Sequence, residues 1–233
     1  MVDVNPSHPD HGSGSDTAAR TDAVPRPAFT DWWLPPDPRA LVLVLHGGTQ
    51  RSVLPVDGRS LSWRRARAVG RHVAGKVRSD GVGVALLRYG VKGWNAGRGS
   101  APAPVIDARW ALEEIAEQHD VPVVVLGHSM GARTGVAVAD HPSVRGVVAL
   151  APWLPPEDSV EPLAGKLLRA GHGQHDRITS ARATKRFVDR ASSVADAEFT
   201  DMGPLGHYLL RGFPRWNAFA VDGVREVIDR TVH

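Results

Sequence analysis

The chain has 233 residues, 42% of them hydrophobic and 23% charged, which is enough for one large domain and too much for a cross-linked mini-protein. It contains no cysteine, which excludes disulfides, thiolate metal sites and a cysteine nucleophile, and no apolar run approaches the roughly 18 residues of a membrane-spanning helix. Arginine supplies 24 of the 28 cationic residues, but 25 acidic residues reduce the formal charge to +3, so neither nucleic acid nor a membrane is expected as a partner.

Residues 1–27 combine Pro, Ser, Gly, Asp and His with few apolar side chains, too few to offset the entropy of ordering. They are read as a flexible tail, residues 1–28, ahead of a single domain over 29–233. The stretch lacks the charged start and apolar middle of a secretory signal, so a cytoplasmic protein is expected. Trp32-Trp33 is assigned to an edge strand that buries one indole. Apolar, β-rich runs at 41–45, 82–87, 121–126, 144–150 and 166–170, with a further run at 198–202, predict strands covered on both faces.

Helical patterns separate these runs. Ala66, Gly70, Val73 and Val77 recur at helical spacing, while Arg64, Arg65, Arg67, Arg71 and Arg78 fall largely off that stripe and read as a solvated face. Ala108, Leu112 and Ile115 opposite Glu113, Glu114 and Glu117 mark a second helix, and 130–140, 180–191 and 216–231 mark three more. The alternation predicts an α/β fold, a doubly wound, mostly parallel sheet of about seven or eight strands. Between Leu150 and the strand near Lys166 there is room for one short helix at most, and four prolines there argue against a multi-helix cap.

The chemistry concentrates at Gly127-His128-Ser129-Met130-Gly131, a G-x-S-x-G sequence. Such a pattern arises by chance in a chain of this composition about once in seven. Its context is more specific: a buried strand precedes it and an Ala- and Val-rich helix follows, which puts Ser129 on the sharp strand-to-helix turn where a nucleophile is displayed.

With that elbow in place, the chain resembles the α/β-hydrolase superfamily of serine esterase type, from about Phe29 to its C-terminus. The resemblance implies a Ser, acid, His order along the chain. Gly173-Gln174-His175-Asp176 is similar to the family's turn carrying the acid, which points to Asp176, with Asp201 as the substitute. Gly206-His207-Tyr208, before the last helix, resembles the loop that carries the base, His207. His46-Gly47-Gly48 resembles the oxyanion loop, implying backbone donors from Gly48 or Thr49 together with Met130. His46 and His128 are read as structural residues. His172 and His175 beside Asp176 lack a distant partner ligand, so no metal is expected. The absence of a Walker A loop, a dinucleotide glycine fingerprint and a His-Glu-x-x-His motif leaves no cofactor to expect either.

Ala151-Pro152-Trp153 resembles the cutinase-like and polyester-hydrolase branch, where the tryptophan lines an open cleft. The chain departs from that branch in having no cysteine and in continuing the elbow with Ala132-Arg133. Trp153 either lines such a cleft or packs under the Pro-rich loop, and Tyr89 and Trp94, in the glycine-rich stretch 88–100, either line an acyl pocket or cover the sheet end. Arg133 is either a packing residue or a contact for an acyl or carboxylate group. The resemblance implies ester hydrolysis through an acyl-enzyme, and the missing cap, which leaves little cover for a long chain, points to short to medium acyl groups. A type II thioesterase or acyltransferase acting on a biosynthetic acyl carrier, and a non-catalytic binding protein of the same fold, are the competing readings.

Overall fold

A computed structural model describes residues 25–97 and 99–232; the expected tail over residues 1–24 lies outside the described residues. Seven strands form one sheet: β1 (Ala28–Trp33), β2 (Ala40–Leu45), β3 (Val82–Arg88), β4 (Val123–His128), β5 (Val144–Leu150), β6 (Leu167–His172) and β7 (Asp196–Asp201). Their spatial order is β1-β3-β2-β4-β5-β6-β7. All neighbours are parallel except β1, which runs antiparallel to β3. Five helices connect them: α1 (Leu61–Val77), α2 (Ala103–His119), α3 (Met130–Ala137), α4 (Ala181–Ala191) and α5 (Phe213–Thr231).

Strand periodicity divides the core in two. In β2, Leu41, Leu43 and Leu45 face a cluster that includes Leu112 and Ile115 of α2, Val136 of α3 and Phe187 of α4. Ala40, Val42 and Val44 face the opposite cluster, with Val69 and Val73 of α1 and Trp216 and Val224 of α5. Every residue of β2 and β4 is buried, which is why these strands read as unbroken apolar runs. The chain winds one way from β2 to β3 and the other way from β3 across to β4, so the carboxyl ends of β2 and β4 flank a topological switch point. In open α/β sheets ligands bind there.

Several expectations are corrected at the edges. Consecutive residues of β1 point to opposite faces, so no single indole is buried: Trp32 packs half-buried on the α2/α3/α4 core and Trp33 half-buried on the α1/α5 core. Helix α3 stops at Ala137 rather than at 140, since the chain must turn ahead of Pro142 to enter β5. Strand β7 begins two residues early with Asp196, and its polar start is held by Arg169 of β6, 3.0 Å away. Asp196, Glu198 and Asp201 leave this edge strand exposed and acidic. The arginine face of α1 is not wholly solvated either: Arg67 pairs with Asp31 at 2.7 Å, and the Arg65 guanidinium lies over the Tyr208 ring at 5.1 Å.

Residues 151–166 contain only a single 3-10 turn, Glu161–Leu163, and no cap domain is present among the described residues. No helix among them is long and apolar enough to cross a membrane.

Candidate active site

Strand β4 ends at His128 and α3 begins at Met130, so Ser129 alone makes the turn, with φ 57° and ψ −117°. That left-handed backbone is strained for any L-residue, by about 1–3 kcal/mol, and it persists because the surroundings dictate it. A Cβ at Gly127 would lie 2.5 Å from the Ala132 backbone, and one at Gly131 would run into the Leu45 carbonyl. Glycine at both positions is therefore a steric requirement of bringing helix, elbow and β2 together. The Ser129 amide donates to the Leu150 carbonyl at 3.0 Å, tying the elbow to the end of β5.

Ser129 Oγ lies 3.0 Å from His207 Nε2, and His207 Nδ1 lies 2.8 Å from Asp176 Oδ2. A carboxylate only accepts, so Nδ1 carries the proton and the Nε2 lone pair faces the serine hydroxyl. Asp176 is almost wholly buried and saturated with donors. Its Oδ1 accepts from the amides of Ile178 at 2.8 Å and Thr179 at 2.9 Å. Its Oδ2 accepts from His207, from His172 Nε2 at 3.0 Å and from the Thr179 hydroxyl at 3.0 Å. Burial acts to raise this carboxyl's pKa, but the bonds from His172, His207 and the two amides outweigh it and hold the group well below the usual carboxylate range. Asp201 does not share this corner: it is exposed and accepts from Gln174 and from the Gly203 amide, both at 2.7 Å. His175 is exposed as well.

Burial favours the neutral form of both structural histidines. His46 donates from Nδ1 to the Gly47 carbonyl at 2.7 Å and accepts the Tyr89 amide at Nε2, 3.2 Å away. Burial, opposed by the Gly47 bond and aided by Arg88, lowers its pKa to about 4. His128 donates from Nε2 to the His207 carbonyl at 2.9 Å, which fixes the backbone of the base. Burial above all, with the charges of His207 and Arg65, lowers its pKa to about 3 against that bond and Asp176.

The sequence profile of the α/β hydrolase family matches residues 41–232. The chain belongs to that family. Solved structures with the same fold include a lidless α/β serine hydrolase from Xanthomonas campestris, at 17% identity, TM-score 0.62, covering 86% of this chain and 94% of that one. An α/β serine hydrolase homologue from Coxiella burnetii matches at 14% identity and TM-score 0.63, covering 87% and 98%. Est1E from Butyrivibrio proteoclasticus matches at 11% identity and TM-score 0.60, covering 88% and 99%. A comparison with curated proteins finds no match.

In this hydrolase, the loop after β2 bears on the expected oxyanion donors. The Thr49 amide donates to the Lys92 carbonyl at 2.9 Å and is not free for a ligand, which removes Thr49 from the expected set. The Gly48 and Met130 amides have no partner among the described residues. Gly48 must lack a side chain, because the Lys92 carbonyl and the Met130 thioether occupy the space a Cβ would take.

Tyr89 is also corrected. It is fully buried, with its ring 4.4 Å from that of His46, so it supports the loop from within the core and lines no cleft. Trp94 and Trp153 do approach each other, with ring centroids 6.0 Å apart and an interplanar angle of 71°. The Arg133 guanidinium fills the corner between them, 4.1 Å and 4.3 Å from the two rings, and is held bidentately by Asp158 at 2.7 Å and 2.6 Å. A hollow of about 920 Å³ along α1 contains none of Ser129, Asp176 or His207. A smaller one of about 240 Å³ is lined by residues 206–211, including His207.

Sequence reasoning missed His172, Thr179 and Asp158 as members of the site. A histidine at the last position of β6, four residues before the acid, is the one visible signal; the sequence reading weighs it only as a metal ligand, sets that aside, and assigns it no part in holding Asp176.

Proposed function

We propose that the hydrolase is a serine carboxylesterase acting on short to medium acyl esters. The observation that carries this reading is the continuous hydrogen-bonded path from Asp176 through His207 to Ser129, placed at the switch point of a family fold. In this mechanism His207 Nε2 takes the Ser129 proton as Oγ attacks the ester carbonyl. Asp176 holds the imidazole in the tautomer required and stabilises its charged form. The amides of Gly48 and Met130, the latter at the N-terminus of α3, receive the oxyanion. His207 then returns the proton to the departing alcohol, the acyl-enzyme is left on Ser129, and water activated by the same imidazole releases the acid.

The test is labelling with a fluorophosphonate followed by mass mapping, alongside a panel of p-nitrophenyl esters and acyl thioesters. Label on Ser129 with ester turnover supports the reading. Label on another residue, or none, sinks it. A kcat/KM for thioesters far above that for matched oxygen esters moves the thioesterase reading ahead.

A further inference from the structure

The proposed mechanism fixes the direction of each substituent on the reacting carbon. The oxyanion must face the Gly48 and Met130 amides, and the leaving oxygen must face His207 Nε2, which protonates it. The acyl chain is left the remaining direction, away from His207. His207 comes from the α1/α5 side of the sheet, where the next core residue of its loop, Leu209, is packed. Trp94 and Trp153 belong to the opposite cluster, beside Met130. Three elements around Ser129 meet there. The Trp94 amide donates to the Thr49 carbonyl at 2.8 Å, next to Gly48, and the Trp153 amide donates to the Ser129 carbonyl at 3.2 Å. Arg133 stands one helical turn beyond Ser129, and side chains on a helix lean toward its N-terminus, so its stem lies back over the nucleophile's turn.

We propose that the Trp94–Arg133–Trp153 stack, clamped by Asp158, is the end wall of the acyl subsite and limits the enzyme to acyl groups of about two to four carbons. This rests on Ser129 being the nucleophile. The wall is rigid for three physical reasons. The guanidinium packs on two indole faces at once, which favours a cation desolvated against aromatic rings. Its fork is bidentate on Asp158, a geometry that fixes orientation as well as distance. The Asp158 loop is itself tied down, since Arg190 of α4 donates to the carbonyls of Pro156 and Asp158. Arg133 is nearly buried, so a longer chain would have to displace a paired charge to advance.

The experiment measures kcat/KM for p-nitrophenyl acetate, butyrate, hexanoate and octanoate with the wild type, Trp153→Ala and Trp94→Ala. Burying each further methylene raises kcat/KM about fourfold where room exists. The wild type is expected to gain from acetate to butyrate and to fall at least tenfold from butyrate to octanoate. Removing either indole is expected to raise the octanoate-to-acetate ratio tenfold or more. Melting curves and fluorophosphonate labelling identify which variants are folded with a reactive Ser129; should one indole variant fail to fold, the other decides. A folded, labelled variant with the wild-type chain-length profile overturns the wall, as does a wild type that turns over octanoate as well as butyrate. A wild type that takes no label and hydrolyses no ester overturns the nucleophile assignment, and the wall with it.

Discussion

The elbow and the acid corner hold two halves of the same site by opposite means. At the elbow, Ser129 is positioned by backbone sterics: a left-handed φ, two glycines that admit no Cβ, and carbonyls packed against the turn. At the acid corner, Asp176 is positioned by side-chain and amide donors, five of them converging on one buried carboxylate. The first arrangement tolerates almost no change of residue and gives in return a fixed geometry. The second can lose one donor and keep four.

Deleting the group at the tip of the elbow is the largest expected change. Ser129→Ala should lower kcat on p-nitrophenyl acetate by about 10⁴-fold or more with an unchanged melting curve, because only the oxyanion donors and binding then contribute. A variant that retains half its activity breaks the assignment. Asp176→Asn should lower kcat by about 10⁴-fold by favouring the wrong tautomer of His207, whereas Asp201→Asn should change it less than twofold. An exchange of those two results would place the functional acid outside the donor-rich corner.

Stability sharpens the contrast. Gly131→Ala has nowhere to put its methyl group except into the Leu45 carbonyl, and it should destabilise the fold by about 3 kcal/mol or more in urea titrations. Removing a single donor from the corner should act more mildly. His172→Leu should lower kcat about tenfold and shift the acidic limb of the kcat profile to higher pH, because Asp176, relieved of one donor, holds the His207 proton more firmly. His172→Gln, which still donates, should restore most of both. A limb that does not move would leave His172 as packing alone.

The smallest effect is a slope. His46 and His128 have pKa values lowered in the fold to about 4 and about 3, so the unfolded chain binds more protons between those values and about 6.5. The stabilisation from each is full above pH 6.5 and is lost as pH falls from there toward the folded value. His128→Asn should flatten the decline in urea stability between pH 6.5 and 5 by up to about 1.4 kcal/mol per unit. A slope equal to that of the wild type would mean His128 is charged in the fold.

The same contrast explains what could be read from the chain. The elbow was legible because a steric requirement allows only glycine at Gly127 and Gly131, which leaves a fixed pattern in the sequence. The central strands were legible because burial on both faces demands unbroken apolar runs, as in β2 and β4. The acid corner was half legible: the turn bearing Asp176 follows a strand, but Thr179 and His172 are donors that many residues could replace, so no spacing announces them. Thr49 and Tyr89 failed for a related reason. Whether an amide is free or a tyrosine faces a cleft depends on Lys92 and His46, which arrive from another strand or another loop. The polar start of β7 was missed because Arg169 and Asp196 pair only after β6 and β7 lie side by side.

The acidic rim of β7 bears on how copies of this chain meet. Among the described residues β7 has no neighbour on its outer side, and such an edge is a template for a further strand; two copies joining there would bring the carboxylates of Asp196, Glu198 and Asp201 near those of the other copy. Like charges at cross-strand distance repel, so the sheet's open end is guarded by charge. Arg169 and Arg230 pair with Asp196, and donors to Asp201 stabilise its charge, so both carboxyls stay ionised below their ordinary range. The charge on these two carboxyls therefore persists into mild acid, where ordinary carboxylates begin to protonate.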